Sequence, residues 1–599
     1  MIASTAIPNK NTQEKNMTLL DKINSPQDVK KLSTAELESL AQEIRAAILN
    51  RDSKIGGHVG PNLGIVEATI ALHYVFNSPV DKIVYDVSHQ SYPHKLLTGR
   101  RDGFLNDEKM NQISGYTNPN ESEHDFFTVG HTSTSVSLAC GLAKARDLKG
   151  QNHNVIAVIG DGSLSGGEAL EGLSNAAVLN SNIIIIVNDN EMSIAENHGG
   201  LYTNLRLLRE TDGRAECNLF KALGFDYHYV ADGNSVAQMI DILSHIKDTN
   251  RPTLLHIHTL KGKGYKFAEE NKEQWHWNLP FDIQSGKISL ELGNEENYND
   301  ITFDYLNHKI KQDKDVVILT AGTPGAFGLS PDRRQQLGAN YVDVGIAEEH
   351  AVAMSSALAK GGCKPVFCVW SSFVQRTYDQ LSQDLAINNN PAVILVFSGA
   401  ISAMDVTHLG CFDIPLIGNI PNIVYLAPAT KEEYLAMLEW GIEQTEHPVV
   451  IRVPIQVIYA PAPVKDDFGS LNRFEIVRPG QDVAILALGN FLTLGMQTAD
   501  KLKEQGINAT VINPRYITGI DENLLNNLKE NHQIVVTLED GEIDGGFGEK
   551  ITRFYGTDKM KVLNFGAKKE FTDRVPLDEL YRRYHLTPDL ITADILKIK

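Results

Sequence analysis

The sequence predicts an α/β fold of three units, each a mostly parallel sheet flanked by helices, and three observations carry that prediction. Short apolar runs rich in β-branched residues alternate with stretches of helical periodicity. Two segments without apolar periodicity interrupt the alternation, and no short-period repeat recurs along the 599 residues.

The first unit is expected over 17–299. Within it, Asn154–Ile159 is an apolar run too short for a helix, and it ends at Gly160-Asp161-Gly162. Ser163–Leu179 follows with Leu164, Leu170, Leu173, Ala176 and Ala177 at helical spacing, and Ile183–Val187 then leads into Asn188-Asp189-Asn190. Strand, crossover helix and strand make one βαβ unit. The polar, low-periodicity stretch Leu290–Asp304 reads as a linker. The second unit, 300–465, carries the strand runs Asp315–Thr320, Pro365–Trp370, Ala392–Phe397 and Val449–Pro454. Tyr459–Asp467, proline-rich and charged, reads as a second linker. The third unit, 466–599, is smaller, with strand runs at Asp482–Leu488, Ala509–Asn513 and Gln533–Leu538. The polar stretch Met1–Asn16 lacks the apolar core of a signal peptide and is expected to be a disordered tail, with Met17 opening the first amphipathic pattern.

Composition narrows the function. Lys and Arg total 55 against 75 Asp and Glu, a net charge of −20, which disfavours a polyanion-binding surface, so no nucleic-acid partner is expected. Five scattered cysteines without a Cys-x-x-Cys pair suit a reducing cytoplasm, with neither a disulfide framework nor a zinc site. No apolar stretch approaches the ~20 residues that span a bilayer, so no integral membrane association is expected.

The chemistry is concentrated in a few motifs. In a βαβ unit both polar tips lie at the carboxyl ends of neighbouring strands, where open α/β sheets bind ligands and where glycines let a diphosphate approach a helix N-terminus. A lone Gly-Asp-Gly is an ordinary turn, but Asp161 and Asn190, each after a buried strand, can share one divalent ion. Magnesium suits such hard oxygen donors, with the backbone carbonyl of Met192 completing the set. The expected cofactor is thiamine diphosphate. Histidines flanked by glycine or polar residues recur in the same unit (His58, His89, His94 and His131), a pattern suited to proton transfer near neutrality. In the second unit, Gly345-Ile346-Ala347-Glu348 is a turn into an apolar helix. Thiamine activation needs a desolvated carboxylate beside the aminopyrimidine ring, and Glu348 is the candidate, although a first-turn acid favoured by the helix dipole would look the same.

These residues, with the run Asp86–Asp102 and Gly130–Ser135, closely resemble the 1-deoxy-D-xylulose-5-phosphate synthase family of transketolase-like thiamine diphosphate enzymes, over nearly the whole chain after Met17. The resemblance implies three domains of the thiamine-diphosphate-binding, transketolase type. It further implies that Asp161, Asn190 and the Met192 carbonyl hold magnesium, that Glu348 activates the cofactor, and that Phe373 stacks on its pyrimidine. Gly130, His131, Thr132, Gly162, Ser163, Ile194 and Lys261 would complete the cofactor site. His58, His89, His276 and His408 match the family's active-site histidines, and Asp405 an acid beside the substrate. Homodimers with the active site between the first two domains of one chain are implied as well.

The implied activity is decarboxylation of pyruvate, or a similar 2-oxoacid, and transfer of the remaining fragment to an aldehyde. Two rival readings stay open: a transketolase, and a decarboxylating component that passes its acyl group to a carrier. The chain also departs from the family. Where the family has two arginines for the acceptor's phosphate, this sequence has Ser398 and Ile455, with Arg376 and Lys263 as candidates to compensate. Trp370 replaces a tyrosine, and Asp405–His408 is one residue shorter. The acceptor is therefore expected to be glyceraldehyde 3-phosphate or an unphosphorylated relative. The stretch between Asn197 and Leu219 is short for the family, which predicts a more open site.

Overall fold

The computed structural model describes residues 18–290, 295–461, 464 and 468–599. The expected tail, Met17 and parts of both linkers lie outside those residues. The strands are β1 Lys82–Tyr85, β2 Val155–Gly160, β3 Ile184–Asp189, β4 Asp226–Val230 and β5 Thr253–His258 in the first sheet. The second sheet holds β6 Val316–Thr320, β7 Tyr341–Asp343, β8 Lys364–Trp370, β9 Val393–Phe397, β10 Val424–Leu426 and β11 Val449–Arg452. The third holds β12 Glu475–Arg478, β13 Asp482–Ala487, β14 Thr510–Asn513, β15 His532–Glu542 and β16 Lys561–Ala567.

The three sheets are ordered β1-β2-β3-β5-β4, β10-β11-β9-β8-β6-β7 and β12-β14-β13-β15-β16. Every pairing is parallel except β12 with β14. The continuous apolar runs of β2 and β3 are buried on both faces, Ile156, Val158, Ile184 and Ile186 on one side and Ala157, Ile159, Ile185 and Val187 on the other. A single apolar core runs from the second sheet into the third, joining Ile394 and Ile414 to Leu486, Ile512 and Ile551.

Two organisational expectations need correction. The segment read as a linker, Leu290–Asp304, contains the start of the helix Tyr298–Gln312, whose Tyr298, Ile301, Phe303 and Leu306 pack into the second unit. Asn297 caps it by accepting from the Asp300 N–H at 3.0 Å, and this capping side chain begins the helix despite the polar composition. The second unit thus starts before residue 300. The expected helix Ser163–Leu179 divides into a short 3₁₀ turn, Gly162–Ser165, and the helix Gly167–Ala176.

The first unit is fastened to the second within one chain. Arg334 pairs with Glu196 at 2.8 Å and with Glu273 at 2.9 Å, and the Ile346 N–H donates to Ser165 Oγ at 3.0 Å. At Gly130 an added Cβ would lie 1.9 Å from Thr407 Oγ1, so only glycine permits the two units to approach this closely.

Candidate active site

The carboxyl ends of β2 and β3 lie side by side, with Gly160 paired to Asn188 and the Asp161 N–H donating to the Asn188 carbonyl at 3.1 Å. Strand alternation sends Asp189 the opposite way from its neighbours, into a buried pairing with Arg209 and with His256 at 2.9 Å. Asn190 is left at the tip, and its buried Oδ1 has no hydrogen-bond partner. Asp161 accepts from Asn197 Nδ2 at 2.7 Å. Burial and the nearby Asp189 charge raise the Asp161 carboxyl above its ordinary value, with the Asn197 bond and the Lys261 charge opposing. The chain then folds back, pairing Met192 with Glu196, and brings Ser193 so close that a Cβ on Gly162 would lie 2.8 Å from its Oγ. Asp161, the unpartnered Asn190 Oδ1 and this turn present hard oxygen donors at one strand tip, and they fit a divalent ion with a diphosphate.

The short stretch after Asn197 does not leave this end open. It forms the helix Gly200–Glu210, which buries Leu205 and Leu208 and sends the Tyr202 hydroxyl to the Asp161 and Gly162 carbonyls at 3.2 Å each.

Across the cleft, Gly345 takes φ 74°, its N–H donates to Asp343 Oδ1 at 2.8 Å, and the turn starts the helix Glu348–Lys360. Glu348 is 4 % exposed, its Oε2 has no hydrogen-bond partner, and the nearest cation is Arg376 at 3.8 Å. Burial raises the Glu348 carboxyl to about 7, with Arg376 opposing. Phe373 lies in the turn after β8, its ring 5.4 Å from that of His131 and 5.7 Å from that of His408.

The histidines are positioned by polar clamps. Asn62 Nδ2 donates to the carbonyls of His58 and His89, both at 2.7 Å. Asp86 accepts from the Ser133 and Ser135 N–H groups at 2.8 and 2.9 Å and so shapes the loop that carries Gly130, His131 and Thr132. The rings of His58, His89 and His276 meet at 5.2 to 5.6 Å. Lys261 Nζ reaches His276 Nδ1 at 3.1 Å and donates to the Ser193 carbonyl at 2.6 Å. Burial is the main cause that lowers His89 to about 3, His131 to about 4 and Lys261 to about 7, so these groups rest mostly neutral or close to neutral at physiological pH.

One cleft is lined by His58, His89, Gly130, His131, Thr132, Asp161, Gly162, Ser163, Asn190, Met192, Ile194, Lys261, His276, Glu348, Phe373, Arg376 and His408. Tyr116, Gln90, Ser193 and Ile346 also line it, and the sequence reading gave none of the four a role in the site. The expectations for the remaining residues are corrected as follows. Asp405 stands behind His408, 3.4 Å from its Nδ1, rather than in the wall. Trp370 stacks on the far side of Phe373 at 5.6 Å. Ser398 is exposed at φ 57° in the turn after β9, and Ile455 is 51 % exposed with its N–H donating to Asn490, so neither lines the cleft. Arg452 is buried against Asp413 at 2.7 Å, and Lys263 donates to the Asn234 carbonyl at 3.2 Å, so neither reaches the cleft. His94 is structural, held between His73 at 2.9 Å and Asp125 at 2.8 Å.

The family model described as 1-deoxy-D-xylulose-5-phosphate synthase matches residues 20–217 and 211–259. The transketolase pyrimidine-binding and C-terminal domain models match 297–459 and 472–591. A 1-deoxy-D-xylulose-5-phosphate synthase of Caldanaerobacter subterraneus subsp. tengcongensis is 39 % identical over 624 residues, covering 97 % of this chain and 99 % of that one. The chain belongs to the 1-deoxy-D-xylulose-5-phosphate synthase family. The synthase of Clostridium beijerinckii is 37 % identical over 622 residues, covering 97 % of this chain and all of its own. Among solved structures, a transketolase from Campylobacter jejuni is 16 % identical with a TM-score of 0.44, over 94 % of this chain and 99 % of that one. The family is one of thiamine diphosphate-dependent transferases, and among the described residues no helix is long and apolar enough to cross a membrane.

Proposed function

We propose that the chain is a magnesium- and thiamine diphosphate-dependent carboligase, working in the cytoplasm as a homodimer. It removes carbon dioxide from pyruvate or a similar 2-oxoacid and joins the remaining fragment to an aldehyde, glyceraldehyde 3-phosphate or an unphosphorylated relative. The observation that carries the reading is the pairing, across one cleft of one chain, of the oxygen-donor tip Asp161/Asn190 with the buried carboxyl of Glu348, whose Oε2 has no hydrogen-bond partner.

When bound, thiamine diphosphate supplies the carbon nucleophile and the electron sink. Asp161, Asn190 and the Met192 carbonyl would hold magnesium, with Gly162, Ser163 and Lys261 toward the diphosphate. Glu348 would hold a proton toward the cofactor's aminopyrimidine, a task suited to a carboxyl raised to about 7. Phe373 would stack on the cofactor's ring, with Gly130, His131, Thr132 and Ile194 in the wall around it. His58, His89, His276 and His408 orient the reactants and move protons, and Asp405 steadies His408. Burial of these groups excludes bulk water from the reacting end.

Purified protein with magnesium and thiamine diphosphate is expected to release carbon dioxide from pyruvate, faster when an aldehyde is present, and to form a carbon–carbon bond. Release from no 2-oxoacid, with two-carbon transfer from ketose phosphates instead, would refute the reading. A dimer is the expected mass in solution by light scattering.

A further inference from the structure

A short segment of the third unit reaches the loops that carry two residues of the cleft wall. Residues 568–576 form a strap between β16 and the helix Leu577–Arg583, and both ends are anchored. Ala567 pairs with Glu542 at one end, and Leu580 is buried at the other. Along the strap, Glu570 accepts from the Tyr584 hydroxyl at 2.8 Å. Arg574 takes φ 52°, a left-handed backbone that a residue with a side chain rarely adopts and that persists where surrounding contacts impose it.

Those contacts belong to both other units. The Arg574 N–H donates to the Met404 carbonyl at 2.9 Å, and Asp573 accepts from the Val406 N–H at 3.3 Å, which fixes the second-unit loop ahead of His408. The Arg574 guanidinium donates to the Asn111 and Ile113 carbonyls at 3.3 and 3.1 Å, at the start of the first-unit loop that carries Tyr116. Among the described residues, these are the hydrogen bonds that join the third unit to the first. Arg51 donates to the same Ile113 carbonyl at 3.4 Å, so that carbonyl is gripped from two units. Two bonds to Asp573, at 3.2 and 3.1 Å, hold the guanidinium in a fork and aim it. Beyond Ile113, the Tyr116 N–H donates to Ser114 Oγ at 3.1 Å and the Thr117 N–H to Ser88 Oγ at 2.8 Å, so little slack separates the grip from Tyr116. The two loops meet where the Tyr116 and His408 rings stack at 5.4 Å in the cleft wall.

We propose that Asp573 and Arg574 form a clasp through which the third unit sets the width of the cleft, with Arg574 as its positioning residue. Arg574 touches no reactant and acts through the two loops that it holds together. Because the strap is anchored in the third unit, the rim of the cleft follows that unit's position. Loss of the clasp frees both loops and leaves the oxygen-donor tip, where Asn197 holds Asp161 within the first unit, as it is. The proposal rests on the carboligase reading for its kinetic readout alone.

The test uses the enzyme loaded with magnesium and thiamine diphosphate and compares Arg574→Ala and Arg574→Lys with the wild type. Lys569→Ala, in the same strap but set 3.8 Å from Asp544, is the control. The Arg574 and Asp573 side chains are 34 and 32 % exposed, so the loss is that of a screened contact. Arg574→Ala is expected to speed amide hydrogen exchange about fivefold around residues 113–117 and 404–408 together. Exchange around 161–163 and the thermal midpoint are expected to stay as in the wild type. With pyruvate and whichever of glyceraldehyde and its 3-phosphate the wild type uses faster, KM for the aldehyde is expected to rise about fivefold, with kcat changed about twofold at most. Arg574→Lys keeps a donor for the two carbonyls but loses the fork, and is expected to fall between alanine and wild type in both readouts. Faster exchange in one loop alone, a rise that spreads to 161–163, the same effect from Lys569→Ala, a lysine variant at the alanine level, or a wild-type KM in Arg574→Ala overturns the clasp. No carbon dioxide from the wild type with either aldehyde overturns the carboligase reading instead, and the exchange data then decide the clasp.

Discussion

Replacing Glu348 by Gln separates its electrostatic burden from its role in turnover. Burial moves this carboxyl from 4.5 to about 7, which corresponds to about 3 kcal/mol against the charged form in the folded chain. Below pH 4.5 folded and unfolded chains both hold the proton, and the carboxyl imposes no penalty. Between 4.5 and 7 the unfolded chain releases its proton first, so stability falls as pH rises; above 7 the full penalty remains. Glu348→Gln in the cofactor-free protein is therefore expected to gain about 2 kcal/mol at pH 6 and about 3 kcal/mol at pH 8.5. Urea midpoints at both pH values measure the gain. An infrared difference spectrum against the variant follows the carboxyl band directly and is expected to titrate near 7. The same substitution is expected to lower turnover at least about a hundredfold, the scale of a lost proton-transfer group. Wild-type turnover in the variant, or a stability gain that ignores pH, would refute the reasoning.

Three further outcomes follow from the geometry. Asp161→Ala is expected to raise the magnesium concentration needed for half-maximal cofactor binding at least about tenfold, the scale of one lost charged contact, and calorimetric titration with magnesium decides this. Arg334→Ala removes the pairs to Glu196 and Glu273. Because Glu196 is half exposed, a loss of about 1 kcal/mol is expected, seen as faster hydrogen exchange around residues 196 and 273. His94→Asn breaks a fully buried hydrogen bond to Asp125, which keeps its pair with Arg100, and is expected to destabilise by about 2 kcal/mol while leaving substrate KM unchanged in the folded enzyme. A shifted KM at unchanged stability would place His94 in the chemistry instead.

The elements that were legible in the sequence are those buried on both faces. The β-branched runs of β2, β3, β8 and β9 follow the residues expected of them to within one or two positions. Six strands that the sequence did not reveal, β1, β4, β7, β10, β12 and β16, are the edges of the three sheets. An edge strand is covered less and needs no continuous apolar run: β4 reads Asp-Tyr-His-Tyr-Val, β7 is three residues long, and β12 is mostly exposed. The interior strand β5 was hidden for another reason. Its His256 is buried in a pairing with Asp189 and Tyr227, which satisfies a polar residue where an apolar one is expected.

The site divides in the same way. Asp161, Asn190 and Glu348 were legible because each follows a strand or opens a helix, so that local pattern alone sets its position. Tyr116, Gln90 and Asn197 carry no such spacing, being single residues on loops brought in by long-range packing. The second unit shows how far a residue-by-residue match can mislead about charge. Ser398 and Ile455 sit on the surface, while the nearby Arg452 is clamped by Asp413 and the Asp540 carbonyl beside the core shared by the second and third units. Restoring an arginine at position 398 or 455 would therefore add a cation outside the cleft, and kcat/KM for a phosphorylated aldehyde is expected to stay within about twofold, the range of an exposed charge. A tenfold gain in either variant would mean that the acceptor's phosphate reaches beyond the wall formed by Tyr116 and His408.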